Sequence, residues 1–287
     1  MRNVAPQPIG ERRHFQPCAL GPRPSLFTVH LIDSHSHIDV ASFDADRDAV
    51  LERARAAGVG EQIVPAIALS GFGKLRDLCG ARAGLHPAYG LHPMYLAEHR
   101  PEHLEQLAAW VEREKPCAIG ECGLDFHVEG LEPEAQRSYF RGQLELAHDA
   151  QLPVIVHARR ALDEVIAALR RAALARGGVV HSFSGSVEQA RQLWKMGFCI
   201  GLGGPVTYPR ARRLRAIVAS MPLEFLLLET DSPDQPLHGR QGARNEPALL
   251  VDVCACIAVL RGVAPDEVAA ATTRNARHLF NLLEPRD

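Results

Sequence analysis

At 287 residues with 46% hydrophobic side chains, the chain is long enough for one large buried core, and a formal net charge of −2 excludes a global basic field of the kind that grips duplex nucleic acid. No apolar run approaches the ~20 residues of a bilayer-spanning helix and the first residues lack a signal-peptide core, so a cytoplasmic protein with no membrane partner is expected. The seven cysteines are odd in number and lack zinc-knuckle spacing, which favours reduced thiols over a disulfide frame.

Residues 1–28 carry Pro6, Pro8, Pro17, Pro22 and Pro24 with Arg12, Arg13 and Arg23 and have neither helical nor strand period. They read as an irregular or disordered extension before a single domain over 29–287. From Val29 the signals alternate. Apolar runs at 29–33, 62–67, 82–90, 116–120, 153–156, 178–180, 198–201 and 224–228 read as strands. Helical spacing appears at 44–57, closed by Gly58, and at 102–115, 133–151, 161–176, 186–196, 210–220, 246–261 and 265–281. The alternation predicts a single-domain α/β fold, a (β/α)8 barrel of the TIM type. An open doubly wound sheet is the second choice, weakened by the absence of both glycine-rich nucleotide loops.

Several of the predicted strands run into a metal-ligating residue: His35 and His37, Glu121, His157, His181 and Asp231. In such a barrel the C-terminal strand ends converge on one mouth, so these residues should meet and hold two divalent cations, a centre suited to hydrolysis. His35 and His37, two apart on an extended strand end, point to the same side as a chelating pair must. Glu121 has two oxygens and is expected to bridge the ions, and Asp33 to orient one ring through Nδ1–H. Imidazole suits Zn, Mn, Fe or Ni and the carboxylates would also accept Mg. Arg159, two after His157, is expected to clamp a phosphate, with a loop salt bridge as the blander reading. Gly84-Leu85-His86-Pro87 recurs as Gly90-Leu91-His92-Pro93; His92 is expected at the strand end, in contact with substrate, and His86 at the strand base or in a loop. Asp125 reads chiefly as a loop contact, Glu229 as a buttress of the ligands, and Ser186 as a helix cap.

Ile32-Asp33-Ser34-His35-Ser36-His37, Gly90-Leu91-His92-Pro93, Gly120-Glu121-Cys122-Gly123-Leu124-Asp125, Pro153 to Arg159, His181-Ser182-Phe183-Ser184-Gly185 and Leu228-Glu229-Thr230-Asp231-Ser232-Pro233, in this order, resemble the TatD family of metal-dependent hydrolases. The likeness covers nearly the whole chain after Leu31, and Gly203 to Arg210 with Arg244-Asn245-Glu246-Pro247 is similar to its YjjV-type branch. Cys122 departs from the hydrophobic residue common at that place, and the extension has no counterpart in the family pattern. The resemblance implies a TIM barrel with a divalent-metal centre and phosphoesterase activity, with deoxyribonuclease activity in several members.

The expected chemistry is therefore phosphodiester hydrolysis with two divalent metal ions. His35, His37 and Asp231 would hold one ion and His157 and His181 the other, with Glu121 shared. Asp231 would accept the proton of the attacking water, and Arg159 and His92 would contact the scissile group. The expected partner is a DNA end, a short single strand or a small phosphodiester, with no obligate protein partner. Alternatives are hydrolysis of a carbon-centred ester, lactone or amide, and a non-enzymatic metal-dependent interaction role. The strand-four lysine of carbamate-bridged amidohydrolases is absent, its place taken by Glu121.

Overall fold

Parallel pairing of each strand with the next runs through β1 (Leu31–Asp33), β2 (Val59–Pro65), β3 (Leu85–Tyr89), β4 (Ala118–Asp125), β5 (Val154–Arg159), β6 (Gly178–Val180), β7 (Phe198–Leu202) and β8 (Leu226–Leu228). The computed structural model describes residues 30–283, so the expected extension over 1–28 lies outside the described residues. The last strand returns to the first through backbone bonds near and past their ends. Ser34 N–H donates to Leu228 O at 2.9 Å, Asp231 N–H to His35 O at 2.9 Å and His37 N–H to Ser232 O at 2.8 Å. The sheet thus closes into the expected (β/α)8 barrel.

Inside, every strand contributes to one cluster: Ile32, Ile63, Ala88, Ala118, Ile155, Val179, Cys199 and Leu227, joined by Ala276, Leu279 and Phe280 of the last helix. Neighbouring strand residues point outward into a second core shared with the helices, as the two-residue period demands. These helices are α1 (Arg47–Ala56), α2 (Phe72–Gly80), α3 (His103–Glu114), α4 (Pro133–Ala150), α5 (Leu162–Ala172), α6 (Val187–Lys195), α7 (Arg212–Ser220), α8 (Leu250–Arg261) and α9 (Pro265–Phe280). Gly58 follows α1 at φ 91°, the glycine C-terminus expected there. Ser186 caps α6 as half of a reciprocal capping box with Gln189. α8 is apolar on nearly all faces because it lies between the barrel wall and its helical neighbours. No single helix among the described residues is long and apolar enough to cross a membrane. The six cysteines among the described residues form no disulfide.

Some expected boundaries shift. α2 fills a stretch whose Gly71, Gly73 and Gly80 mask its helical period. Leu223–Phe225 forms a 3-10 turn, so β8 starts later than expected, at Leu226. Strands β4 and β5 run past the apolar runs: Gly123 pairs with His157 and Asp125 with Arg159, so Glu121 sits within β4 and His157 within β5. Gly123 allows this approach, since a Cβ there would come within 2.0 Å of His157 O.

Two buried glutamines of α4, seven residues and so about two turns apart, tie the barrel mouth to the helical layer. Gln143 Oε1 accepts from Leu91 N–H at 2.7 Å and its Nε2 donates to Leu91 O at 3.1 Å. Gln136 does the same at Asp125, at 2.7 and 2.9 Å. Replacing Gln143 by Leu leaves the buried amide and carbonyl of Leu91 unpartnered and should cost about 1–3 kcal/mol. Denaturant unfolding of the variant checks this; unchanged stability would show that the Leu91 loop rearranges at no cost.

Candidate metal centre

The strand period places His157 on the interior side, in phase with Ile155, while His92, His181 and Asp231 lie just beyond the ends of β3, β6 and β8 and line the same cleft. Glu121 is the exception. Strict alternation from Ala118 would turn it outward, but a register shift between Ile119 and Cys122 brings it inside, while Cys122 packs in the outer core. Its carboxylate is 1% exposed and lies among five imidazoles. Oε2 faces His35 Nε2 at 3.0 Å and His37 Nε2 at 3.5 Å. Oε1 faces His181 Nε2 at 2.8 Å, His92 Nε2 at 2.9 Å and His157 Nδ1 at 3.0 Å. Asp231 Oδ1 lies 3.6 Å from His35 Nε2 and 3.7 Å from His37 Nε2. The mouth is narrow enough that His35 and His181, from opposite walls, stack at 4.1 Å between ring centroids.

The donor set fits divalent cations. His35 Nε2 and Glu121 Oε2 are 3.0 Å apart, yet Oε2 is a buried atom without a hydrogen bond. Separations of 3.0 to 3.7 Å within the His35, His37, Glu121 and Asp231 group bracket the roughly 3.3–3.4 Å edge of a tetrahedron of ligands bound at ~2.0–2.1 Å. The second set, His157 Nδ1, His181 Nε2 and Glu121 Oε1, spans 2.8 to 3.3 Å.

Surrounding groups fix these side chains. His157 Nε2 meets Asp125 Oδ2 at 3.0 Å, while Asp125 Oδ1 accepts from His127 N–H and Val128 N–H. Asp125 therefore makes the expected loop contact and also orients a ring, a role the sequence reading missed; its spacing four after Glu121 on an extended strand was the available signal. Asp33 corrects an expectation. It receives His35 N–H and both the amide and hydroxyl of Thr230, and His35 Nδ1 has no hydrogen-bond partner. β1 ends at Asp33, so its side chain stays at the β1–β8 seam instead of following the ring. Glu229 Oε1 accepts from Ser182 N–H at 2.5 Å, bracing the turn after His181, in space left open by Gly201. His92 Nδ1 accepts from Met94 N–H, so in the neutral ring Nε2 carries the proton and donates to Glu121. His86 sits in β3 and pairs with Glu61 at 2.9 Å, away from the mouth.

Burial opposes the charge on Glu121, but His92, His181 and His35 together with the His157 hydrogen bond outweigh it and hold the carboxyl well below its usual range. Burial likewise opposes charge on His37 and His181, yet Glu121 raises them to about 9 and about 10. Burial and the neighbouring His181 lower His35 to about 4. Desolvation lifts Asp33 to about 7 and Glu229 to about 8.

The centre floors a cleft of about 1030 Å³ whose walls include Met94 and Tyr95 after β3, Arg159 on β5, Phe183 after β6, and Tyr208 and Arg210 after β7. Arg159 is exposed and enters no ion pair among the described residues. Tyr208 is held by a hydrogen bond from its hydroxyl to Pro236 O at 2.8 Å, and the Arg210 guanidinium lies 5.1 Å from its ring centroid.

A family model described as TatD related DNase matches residues 32–281. The Escherichia coli K12 protein named uncharacterized metal-dependent hydrolase YjjV is 44% identical over 253 residues, 88% of this chain and 98% of that one. The crystal structure of YjjV superposes with a TM-score of 0.86, covering 88% and 98% of the two chains at 44% identity. An Erwinia tasmaniensis protein named 3'-5' ssDNA/RNA exonuclease TatD is 34% identical over 265 residues, 88% of this chain and 100% of its own.

Since each Glu121 oxygen faces a different imidazole set, Glu121→Ala should lose more bound metal than His181→Ala; elemental analysis giving equal occupancy in the two variants would contradict a shared carboxylate. Raised values near 9 and 10 leave His37 and His181 protonated at pH 7 in the ion-free protein. Metal binding should therefore release protons, and apparent affinity should climb as pH rises from 7 toward 9. Calorimetry in buffers of different ionisation enthalpy reads the release directly; a pH-independent affinity would show that these rings are already neutral.

Proposed function

The chain belongs to the TatD-related DNase family of metal-dependent hydrolases, and on that premise we propose that it hydrolyses phosphodiester bonds at the ends of single-stranded DNA. The observation that carries this reading is the buried Glu121 carboxylate with one oxygen toward His35 and His37 and the other toward His157 and His181. His35, His37 and Asp231 would hold one divalent cation, His157 and His181 the other, with Glu121 between them. Bound there, such ions supply Lewis-acid charge and lower the pKa of water enough for attack at neutral pH.

The remaining steps fall to the chain's own side chains. Asp231, with Oδ1 turned to the His35–His37 pair, accepts the proton of the attacking water. Arg159 reaches the cleft without a competing carboxylate and neutralises phosphoryl oxygens with its guanidinium fork. His92 lines the cleft, and its Nε2–H, held by Glu121 in the ion-free protein, would be released to the scissile group or the leaving oxygen once Glu121 turns to a cation. Asp125 keeps His157 in one ring orientation throughout.

Substrate form follows from shape and charge. A cleft of about 1030 Å³ with Arg159 and Arg210 as its cations suits a few nucleotides of one strand, and a net charge of −2 supplies no broad phosphate track for a duplex. Tyr95, 38% exposed at the rim, offers a stacking face for a base. The Erwinia tasmaniensis relative, named as acting on single-stranded DNA and RNA from the 3' end, supports the same substrate class.

Metal-loaded protein should degrade a labelled linear single strand and leave its closed circular form intact; equal rates on both would refute entry from an end. Binding should weaken with salt by only roughly 0.7 log units per log unit for each phosphate engaged. Arg159→Ala should lower kcat/KM for a phosphodiester roughly 10- to 100-fold while sparing hydrolysis of an uncharged ester. Equal losses on both substrates, with metal still bound, would make Arg159 structural.

A further inference from the structure

We propose that Gln235 is a positioning residue that selects which oxygen of Asp231 faces the cations and joins the two halves of the metal centre. Its side-chain Nε2 lies 2.5 Å from Asp231 Oδ2. The Asp231 oxygen accepts from this amide nitrogen, and Ser182 Oγ lies against the same side-chain amide, 2.8 Å from Nε2 and 3.0 Å from Oε1. Ser182 directly follows His181, and its own amide is held by Glu229. One side-chain amide thus connects the β8 loop, which carries Asp231, to the β6 loop, which carries His181.

The amide is held in place by its backbone. Gln235 sits at φ 51°, a left-handed conformation that costs a residue with a Cβ some strain and persists where neighbours impose it. Fully buried Asn245 imposes it: its Nδ2 donates to Thr230 O at 2.8 Å, Asp234 O at 2.9 Å and Gln235 O at 3.3 Å. On the other side Gly204 leaves room that a Cβ would close, since it would meet Gln235 O at 2.1 Å. With Oδ2 tethered in this way, Oδ1 is the oxygen turned to His35 and His37, at 3.6 and 3.7 Å. Asp231 is then preset as a one-oxygen ligand, and the cation does not have to choose between its two oxygens. Partners of this kind typically contribute 10- to 100-fold in metal affinity.

The proposal rests on the reading that these residues hold cations, and not on the substrate. Its test is therefore metal binding by full-length protein without nucleic acid. Stripped protein is titrated with Mn2+ by calorimetry and electron paramagnetic resonance, as wild type, Gln235→Met and Ser182→Ala. Gln235→Met keeps the length and removes the donor, and should weaken one of the two ions 10- to 100-fold with the melting temperature of the stripped protein unchanged. Ser182→Ala should weaken it less. In a His181→Ala background, where the His35, His37 and Asp231 ion remains, Gln235→Met should still weaken that ion. Mn2+ binding by Gln235→Met as tight as wild type overturns the positioning role, as does equal weakening of both ions together with a lowered melting temperature. A wild-type chain that binds no Mn2+ overturns the metal reading beneath it.

Discussion

A fully buried carboxylate at the axis of an apolar barrel is the constraint on which this protein is organised. Isolated, the Glu121 anion would be prohibitively costly to bury; it is tolerable only if positive charge is brought to it. Five imidazoles from four segments surround it: His37 and His181 provide that charge as protons, or cations held there would provide it in their place. The same arrangement explains the bulge in β4 and the glycine at 123. A regular strand would have turned Glu121 outward, and a side chain at 123 would have held β4 away from β5.

Precision at the mouth comes from a layer of groups that never reach the centre. Gln136 and Gln143 of α4 hold the backbone at Asp125 and Leu91, and through them the residues next to His157 and His92. Asp33 ties β1 to Thr230 and so closes the seam between the His35–His37 loop and the Asp231 loop. Glu229 braces Ser182 from below. The bonds of Gln136, Gln143 and Asp33 are buried and that of Glu229 is partly so, and a missing partner there leaves an unsatisfied polar group, so the fold itself orders the candidate ligand positions.

The cleft above this centre divides its chemistry by height. The floor is carboxylate and imidazole, while Arg159, Arg210 and the rings of Tyr95 and Tyr208 stand higher on the walls. A negatively charged ligand entering the cleft would meet the Arg159 and Arg210 guanidinium groups on its walls.

Much of this was legible in the residues. Apolar runs of four or five residues alternating with helical periods specify a parallel barrel, because only buried strands tolerate such runs and only crossover helices connect them. The convergence of the candidate site was readable too, since a histidine or carboxylate closing a barrel strand has nowhere to point but the mouth. The sequence did not contain the bulge that turns Glu121 inward, since alternation from Ala118 argues the opposite way. Nor did it show α2, hidden among glycines, or the true partner of Asp33. Gln136, Gln143 and Gln235 are polar residues with no pattern of their own. Their roles depend on which backbone groups the closed barrel leaves unpaired beside them, and that is decided by contacts between segments far apart in the chain.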